Sequence, residues 1–241
     1  MKNILITGAS RGLGLATTKL LLEKKYTVFA INRTITKELE ELRTKYGEQL
    51  KVLEFDLSNT RQIKSTVVIK FIGIKTPIHG FINNAAFAYD DIVTNLNLDS
   101  LDEMYKVNVF APMMLTKYAI RSMLYHRISG SIVHLSSISV HTGYKGLAMY
   151  ASTKGALEAF SKNTAREWGE TGVRSNCLVA GFMETDMSKS LNGSLKKRIY
   201  QRTCLKKATE MTSVAETIIF LLSEKAQSIT AQNIHVDSGT I

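Results

Sequence analysis

Short apolar runs alternate with longer amphipathic stretches from one end of this 241-residue chain to the other. Most runs are too continuously apolar to form half-exposed strands, so they predict a parallel sheet that helices cover on both faces. We expect an α/β architecture with a doubly wound, seven-stranded parallel sheet and a ligand crevice beyond the carboxyl ends of its strands. The predicted strands are residues 3–7, 27–31, 51–55, 79–83, 131–135, 173–179 and 233–236. The predicted helices are residues 12–24, 36–46, 61–72, 101–125, 148–170 and 213–222.

The composition fits a single globular domain. With 44% hydrophobic and 22% charged residues the chain can bury a sizeable core, and no linker or repeat divides it, so we expect one domain over residues 1–241. The apolar run at 218–222 is far below the roughly 20 residues that cross a bilayer. We therefore expect a cytoplasmic protein without a membrane partner. Two cysteines and five scattered histidines lack metal-ligand spacing, so no metal is predicted.

A glycine-rich turn joins the first predicted strand to the first predicted helix. It reads Gly8-Ala-Ser-Arg-Gly12-Leu-Gly14. Glycines at such a turn let the backbone bend and approach a pyrophosphate that is held at the helix N-terminus. The context therefore predicts the dinucleotide site of a Rossmann fold.

The end of the second predicted strand indicates which dinucleotide is preferred. An NAD enzyme usually carries an acid here for the ribose 2′-hydroxyl, whereas this chain has Asn32 and Arg33. A guanidinium suits a 2′-phosphate, and Arg11 in the glycine turn supplies a second cation. We predict NADPH over NADH; the alternative for Arg33 is a solvated loop residue.

Tyr150 and Lys154 form a candidate acid–base pair. Residues four apart on a helix share one face, so the ammonium is expected to lie beside the phenol and to lower its pKa. Such a phenol can exchange a proton with a carbonyl or alcohol at neutral pH. By itself the same spacing also fits an ordinary amphipathic helix.

Several motifs in one order resemble those of the short-chain dehydrogenase/reductase family over essentially the full chain. They are Thr7-Gly-x-x-x-Gly-x-Gly14, Asn83-Asn-Ala-Ala86, Asn108, Ser137, Tyr150 and Lys154. The resemblance implies that Tyr150 exchanges the proton and that Ser137 hydrogen-bonds the substrate oxygen. It further implies that Lys154 binds the nicotinamide ribose and that Asn108 holds a water linking Lys154 to solvent. The cofactor supplies the hydride.

The resemblance also implies the cofactor contacts, with Asp56 at the adenine edge, Asn83 stabilising the centre of the sheet near the cofactor and Thr185 at the nicotinamide carboxamide. Together they are Gly8, Ser10, Arg11, Gly12, Leu13, Gly14, Asn32, Arg33, Asp56, Leu57, Asn83, Ala85, Tyr150, Lys154, Gly181, Met183 and Thr185. Two positions depart from the family pattern, since Ala86 replaces a glycine and Ala180 replaces a proline.

The sequence indicates the substrate less clearly than the type of reaction. Residues 181–187 and 160–167 look like those of 3-oxoacyl-[acyl-carrier-protein] reductases, whose carrier is acidic. The net charge is +10, and a basic segment contains Lys189, Lys196, Lys197, Arg198, Arg202, Lys206 and Lys207. This segment is either a carrier-docking surface or a solvated helical face. A free ketone, a keto-sugar or a polyketide-like intermediate remains an alternative substrate.

A second class of function is a non-catalytic NADP-binding regulator or a nucleic-acid-binding protein. The net charge is its only independent support, no RNA-binding motif is visible, and charge alone does not specify nucleic acid. We therefore expect no nucleic-acid partner. The resemblance implies a homotetramer in which helices 101–125 and 148–170 form one interface through their apolar faces.

Overall fold

The seven strands form one sheet in the order β3-β2-β1-β4-β5-β6-β7, with every neighbouring pair parallel. A computed structural model describes residues 1–185 and 193–240. The strands are β1 (Asn3–Thr7), β2 (Thr27–Asn32), β3 (Leu50–Glu54), β4 (Gly80–Asn83), β5 (Ser131–Ser137), β6 (Arg174–Ala180) and β7 (Asn233–Val236). This confirms the predicted doubly wound Rossmann sheet. The strand order reverses between β1 and β4, where such folds bind their ligands.

Helices lie between the strands, as predicted. They are α1 (Gly12–Glu23), α2 (Lys37–Tyr46), α3 (Leu98–Tyr105), α4 (Ala111–Tyr125), α5 (Ser139–Thr142), α6 (Ala148–Trp168), α7 (Gly193–Arg202) and α8 (Met211–Leu222), with π-helical segments at Ile63–Ile72 and Lys106–Phe110. The helix predicted over 101–125 is thus α3 and α4 joined through a wider turn. Within 1–185 and 193–240, no helix has the length and apolarity that crossing a membrane requires.

The sequence analysis missed α5 and α7. α5 spans only four residues, too few to show a hydrophobic period. α7 has no buried residue, so it lacks the apolar stripe from which the other helices were predicted. The predicted basic segment falls largely on α7 and the turn after it, while Lys189 lies outside the described residues.

Two hydrophobic clusters cover the two faces of the sheet. In β1, Ile4 and Ile6 pack into one cluster with α1 and α8, while the intervening Leu5 packs into the other with α4 and the π-helical segment Ile63–Ile72. All three side chains are at most 2% exposed. Burying one such side chain stabilises the fold by about 1.5–3 kcal/mol. Because all neighbouring strands are parallel, the residues beyond their carboxyl ends lie at one edge of the sheet.

Candidate active site

The turn between β1 and α1 has the backbone geometry that its glycines predict. Gly8 and Gly12 take φ angles of 70° and 54°, a region that other residues rarely adopt. Gly14 is needed for close approach, because a β carbon there would lie 1.9 Å from the Gly8 carbonyl oxygen. The N-cap residue, Arg11, gives α1 no side-chain cap. The first backbone N–H groups of α1 are therefore open to an anion.

A half-buried amide braces this turn against the end of β4. Asn84 Nδ2 donates to the carbonyl oxygens of Thr7 at 3.0 Å and Gly8 at 2.9 Å. Thr7 Oγ1 in turn accepts from the backbone N–H of Asn84 at 3.2 Å and of Ala85 at 3.0 Å. Sequence reasoning did not single out Asn84, although it holds the glycine turn in place.

Asn83, which the sequence analysis placed at the centre of the sheet, points towards β5 and not towards the glycine turn. It is 1% exposed, and its Nδ2 lies 3.4 Å from Nδ1 of His134 in β5. Successive residues at a strand end point in opposite directions, so Asn83 faces the neighbouring strand while Asn84 faces the glycine turn. A contact of Asn83 with the cofactor stays a prediction.

Asn32 and Arg33, for which the sequence predicts a 2′-phosphate contact, come at the end of β2, and the Gly8 N–H of the glycine turn donates to the Ile31 carbonyl oxygen at 2.8 Å. Thr36 Oγ1 donates to the Ser10 carbonyl oxygen at 2.7 Å, which ties the loop after β2 to the glycine turn. Arg11 and Arg33 are exposed, and neither forms an ion pair with a described residue. Asn32 is 3% exposed, and both polar atoms of its amide lack a described hydrogen-bond partner. An unpaired buried amide is costly, so this corner fits a polar ligand.

Tyr150 and Lys154 lie one turn apart on α6, as predicted. Lys154 is 2% exposed. Its Nζ donates to the Leu135 carbonyl oxygen of β5 at 2.8 Å and lies 5.6 Å from the centroid of the Tyr150 ring. The lysine therefore ties the helix that carries the phenol to the strand that ends in Ser137.

The prediction that Lys154 lowers the pKa of Tyr150 was wrong. Burial of the phenol raises its pKa well above its usual value, and the charge of Asp90 raises it further. Burial also lowers the pKa of Lys154 to about 8, against the opposing influence of Cys177. The cause is desolvation, which disfavours the charged form of both groups. Tyr150 is thus a protonated phenol at neutral pH, the form that can donate a proton.

Asn108 lies in the wider turn between α3 and α4, where it is fully buried. Its Oδ1 accepts from the Phe87 N–H at 2.8 Å, and its Nδ2 donates to the Phe87 carbonyl oxygen at 2.8 Å and to Thr153 Oγ1 at 3.1 Å. Thr153 Oγ1 donates to the Tyr150 carbonyl oxygen at 2.8 Å. Asn108 therefore links the loop after β4 to the helix of Tyr150, and its water-holding role stays a prediction.

Ser137 ends β5 with its oxygen already occupied as an acceptor. The Ser139 N–H donates to Ser137 Oγ at 3.2 Å, and Ser139 Oγ does so at 3.0 Å. The Ser137 hydroxyl hydrogen can therefore be directed at a ligand oxygen. The geometry gives Ser139, a residue for which the sequence predicted no catalytic role, the task of orienting Ser137.

The model of the family described as enoyl-(acyl carrier protein) reductase matches residues 8–240. This chain belongs to the short-chain dehydrogenase/reductase family. It is 32% identical over 240 residues to the 3-oxoacyl-[acyl-carrier-protein] reductase of Chlamydia pneumoniae, covering 99% of this chain and 96% of that protein. It is 30% identical over 238 residues to the enzyme of that name from Aquifex aeolicus, covering 98% and 95%.

Solved structures extend the comparison. "4-Hydroxyisoleucine dehydrogenase complexed with NADH" superposes with a TM-score of 0.93 at 28% identity, covering 100% of this chain and 98% of the other. "ElxO with NADP Bound" has a TM-score of 0.90 at 26% identity, covering 99% and 98%. These matches confirm the predicted fold and the assignment to a family of oxidoreductases.

The remaining short-chain dehydrogenase/reductase positions lie around the same edge. A β carbon built on Gly12 would lie 3.9 Å from Thr185 Cγ2, so the segment after β6 passes close to the glycine turn. Asp56 Oδ1 accepts from the Ser58 N–H at 2.8 Å. The hydrophobic clusters hold Leu13, Leu57, Ala85 and Met183. Their cofactor contacts stay predictions.

The two departures from the family pattern leave the local backbone intact. The Ala180 carbonyl oxygen accepts from the Ile138 N–H at 3.1 Å, and the Gly181 N–H donates to the Val236 carbonyl oxygen at 3.0 Å. A β carbon at Gly181 would lie 2.4 Å from Thr209 Oγ1, so glycine is needed there. Ala86 is half-buried and removes no functional group.

α7 contacts two segments near this short-chain dehydrogenase/reductase site, Glu184 after β6 and Tyr144 between α5 and α6. The Tyr200 hydroxyl donates to the Glu184 carboxylate, and Lys196 Nζ lies 3.8 Å from the same carboxylate. The Arg202 guanidinium lies 5.3 Å from the centroid of the Tyr144 ring. Only the basic character of the segment was visible in the sequence.

Proposed function

We propose that this protein is an NADPH-dependent carbonyl reductase that acts on a 3-oxoacyl thioester of the kind an acyl carrier protein presents. The reductase chemistry is supported by the polar side chains that meet at the end of β5. Lys154 donates a hydrogen bond to the Leu135 carbonyl oxygen, Ser139 orients Ser137, and Tyr150 lies on the same helix as Lys154. The substrate class is supported by the Chlamydia pneumoniae and Aquifex aeolicus relatives, whose length this chain matches.

A small free ketone or hydroxy compound is the alternative substrate. It is supported by the likeness to 4-hydroxyisoleucine dehydrogenase over the whole chain. Fold similarity alone does not choose between the two substrates, because substrate preference depends on the residues that line the entrance.

The residues present fit a phosphorylated dinucleotide. The glycine turn and the start of α1 would hold the pyrophosphate, while Asn32, Arg11 and Arg33 would hold the adenosine ribose and its 2′-phosphate. Two observations in the described part of the chain favour this assignment. The Asn32 amide has no hydrogen-bond partner there, and the two guanidiniums form no ion pair there. When bound, NADPH supplies the hydride that adds to the carbonyl carbon.

The side chains provide orientation and the proton. Ser137 donates a hydrogen bond to the carbonyl oxygen, which polarises the bond and fixes its position. Tyr150 gives its phenolic proton to that oxygen, so the carbonyl becomes a hydroxyl group. The Lys154 ammonium stabilises the phenolate that remains until a solvent proton restores it. Asn108 and Thr153 hold the backbone of Tyr150 in place.

Arg33→Ala should weaken NADPH binding by about ten- to a hundredfold, the loss expected for a charge-assisted hydrogen bond, while NADH binding stays within about threefold because it has no 2′-phosphate. The measurement is fluorescence titration with both cofactors. Lys37→Ala, which removes a nearby exposed cation on α2, is the control and should change neither affinity. Equal losses for the two cofactors would rule out the 2′-phosphate contact.

Turnover should fall as the pH rises through about 8, since the lowered pKa of Lys154 means that the ammonium is charged below that pH and neutral above it. Tyr150, whose pKa is raised, stays protonated throughout this range. The check is a pH profile of kcat/KM for the wild type and for Lys154→Arg, whose guanidinium stays charged. An unchanged inflection in Lys154→Arg would assign it to another group.

A carrier protein should dock on α7 by charge. Glutamates in place of Lys197 and Arg198, both exposed, should raise KM for a carrier-bound 3-oxoacyl substrate at least about tenfold and leave KM for the same acyl group on a small thiol unchanged. Salt should reproduce the effect on the wild type. Glutamates in place of Lys64 and Lys70, also exposed, make the matched control. Equal responses of both substrates, or turnover of free ketones alone, would favour the alternative substrate.

We also propose the homotetramer that the resemblance implies. Phe110, the last residue of the π-helical segment before α4, is 46% exposed. An exposed aromatic ring within the predicted interface helix 101–125 fits burial against another copy of the chain.

A further inference from the structure

The helix that carries Tyr150 and Lys154 bears a third polar residue on the same face. Glu158 lies one turn beyond Lys154 on α6 and is only 6% exposed. The proposed mechanism does not use this carboxylate. Burying a carboxylate is costly unless hydrogen bonds compensate for the lost water, so its partners indicate what it does.

Three elements of the fold provide those partners. Ser136 of β5 donates from its Oγ to Glu158 Oε1 at 2.5 Å, and His141 Nε2 of α5 lies 3.0 Å from the same oxygen. Asn233 at the start of β7 donates from its Nδ2 to Oε2 at 2.6 Å. Hydrogen bonds to a carboxylate are shorter and stronger than those between neutral groups. Glu158 therefore fastens α6 to β5, α5 and β7 at one point.

Two of these partners, Ser136 and His141, belong to the segments that position Ser137. Ser136 is its neighbour in β5, and His141 belongs to the same short helix as Ser139, whose N–H and Oγ both donate to Ser137 Oγ. Tyr150 lies on α6 itself, two turns before Glu158. Glu158 thus joins the helix of Tyr150 to the segments that position Ser137.

We propose that Glu158 is a positioning residue that fixes the distance between Ser137 and Tyr150. This inference rests on the proposed function, since it is the carbonyl oxygen that both hydroxyl groups must reach. A misplacement of about 1 Å can cost up to about a hundredfold in rate. A carboxylate accepting from both β5 and α5 suppresses such movement in a way that one hydrophobic contact does not.

Another buried contact of α6 provides a matched comparison. Ser161, 1% exposed, forms a hydrogen bond with Ser175 of β6, the two Oγ atoms being 2.8 Å apart. It also joins α6 to the sheet, but neither partner touches Ser137. Losing it should lower stability without altering the catalytic geometry.

The test compares Glu158→Leu with Glu158→Gln. Leucine has a similar volume but accepts no hydrogen bond, so Glu158→Leu should lower kcat at least about tenfold with KM for NADPH unchanged, as expected for loss of transition-state orientation. Glutamine keeps an acceptor oxygen for Ser136 and His141. The Asn233 amide, whose Oδ1 has no hydrogen-bond partner among the described residues, can turn over and accept from the new NH₂ group. Glu158→Gln should therefore keep kcat within about threefold of the wild type. Ser161→Ala should lower the melting temperature and leave kcat unchanged.

Hydrogen exchange gives a readout that does not depend on activity. The backbone amides of residues 136–147 should exchange faster in Glu158→Leu and stay near wild-type rates in Glu158→Gln and in Ser161→Ala. If Glu158→Leu does not fold, His141→Ala removes one partner alone and should show the same pattern to a smaller extent.

An unchanged kcat and unchanged exchange in Glu158→Leu, or a lower melting temperature with normal kcat in that variant, would overturn the positioning role. A wild type that reduces no carbonyl compound would instead defeat the proposed function. Exchange in the variants would then still decide whether Glu158 holds the Ser137 segment in place.

Discussion

Tyr150→Phe should lower kcat for carbonyl reduction by at least about a hundredfold, the usual contribution of a positioned acid. The phenol is the only proton donor that the proposed mechanism assigns to the substrate oxygen, and its raised pKa keeps it protonated at neutral pH. The ring itself remains, so packing against neighbouring residues should be preserved. NADPH affinity should stay within about threefold of the wild type, because the hydroxyl group is not the main contact to the cofactor.

The measurement is steady-state turnover combined with cofactor titration of the same preparation. Tyr105→Phe is a suitable control, since the Tyr105 hydroxyl lies 3.0 Å from Ser152 Oγ on the outer part of α6. It removes the same atom from a tyrosine outside the proposed site and should leave kcat unchanged. Retained activity in Tyr150→Phe would remove Tyr150 from the mechanism.

Gly14→Ala should abolish cofactor binding and destabilise the protein by about 1–3 kcal/mol, the range expected for a side chain forced into a filled space. The added methyl group would lie 1.9 Å from the Gly8 carbonyl oxygen and 2.6 Å from Asn84 Nδ2. The first of these is backbone and cannot rotate away, so the turn must open. Opening it separates the N–H groups that would hold the pyrophosphate.

Urea unfolding and NADPH titration measure the two effects separately. Gly155→Ala is the matched control, because its β carbon would meet Val140 at an ordinary 3.6 Å and alanine is favoured over glycine inside a helix by up to about 1 kcal/mol. This variant should be as stable as the wild type or more so. Normal NADPH binding by Gly14→Ala would show that the cofactor does not use this turn.

The sheet and the approximate site could be predicted because both depend on local patterns in the sequence. Continuous apolar runs predicted β1 and its neighbours, and four-residue spacing placed Tyr150 beside Lys154 on α6. The pKa of Tyr150 could not be predicted in this way, since it depends on how deeply the folded chain buries the phenol. Asn84 was missed because which of two adjacent asparagines faces the turn depends on where β4 ends.

The helix α7 could not be predicted for a related reason. α7 has exposed or half-buried side chains throughout, so no apolar period marks it. Its contacts to the body of the protein include a cation over an aromatic ring and a hydrogen bond to Glu184, and neither pair is close in sequence. Such contacts become visible only once the fold has brought the partners together.

The hydrogen bond from Thr36 to the Ser10 carbonyl oxygen bears on attempts to re-engineer the cofactor preference of this protein. The loop that would select between the two dinucleotides is anchored by Thr36 at one end and by β2 at the other. Libraries that vary positions 33–35 and keep Thr36 preserve the anchor. Grafts that replace the whole loop also release the glycine turn, so a loss of binding in them would be mistaken for a failed change of specificity.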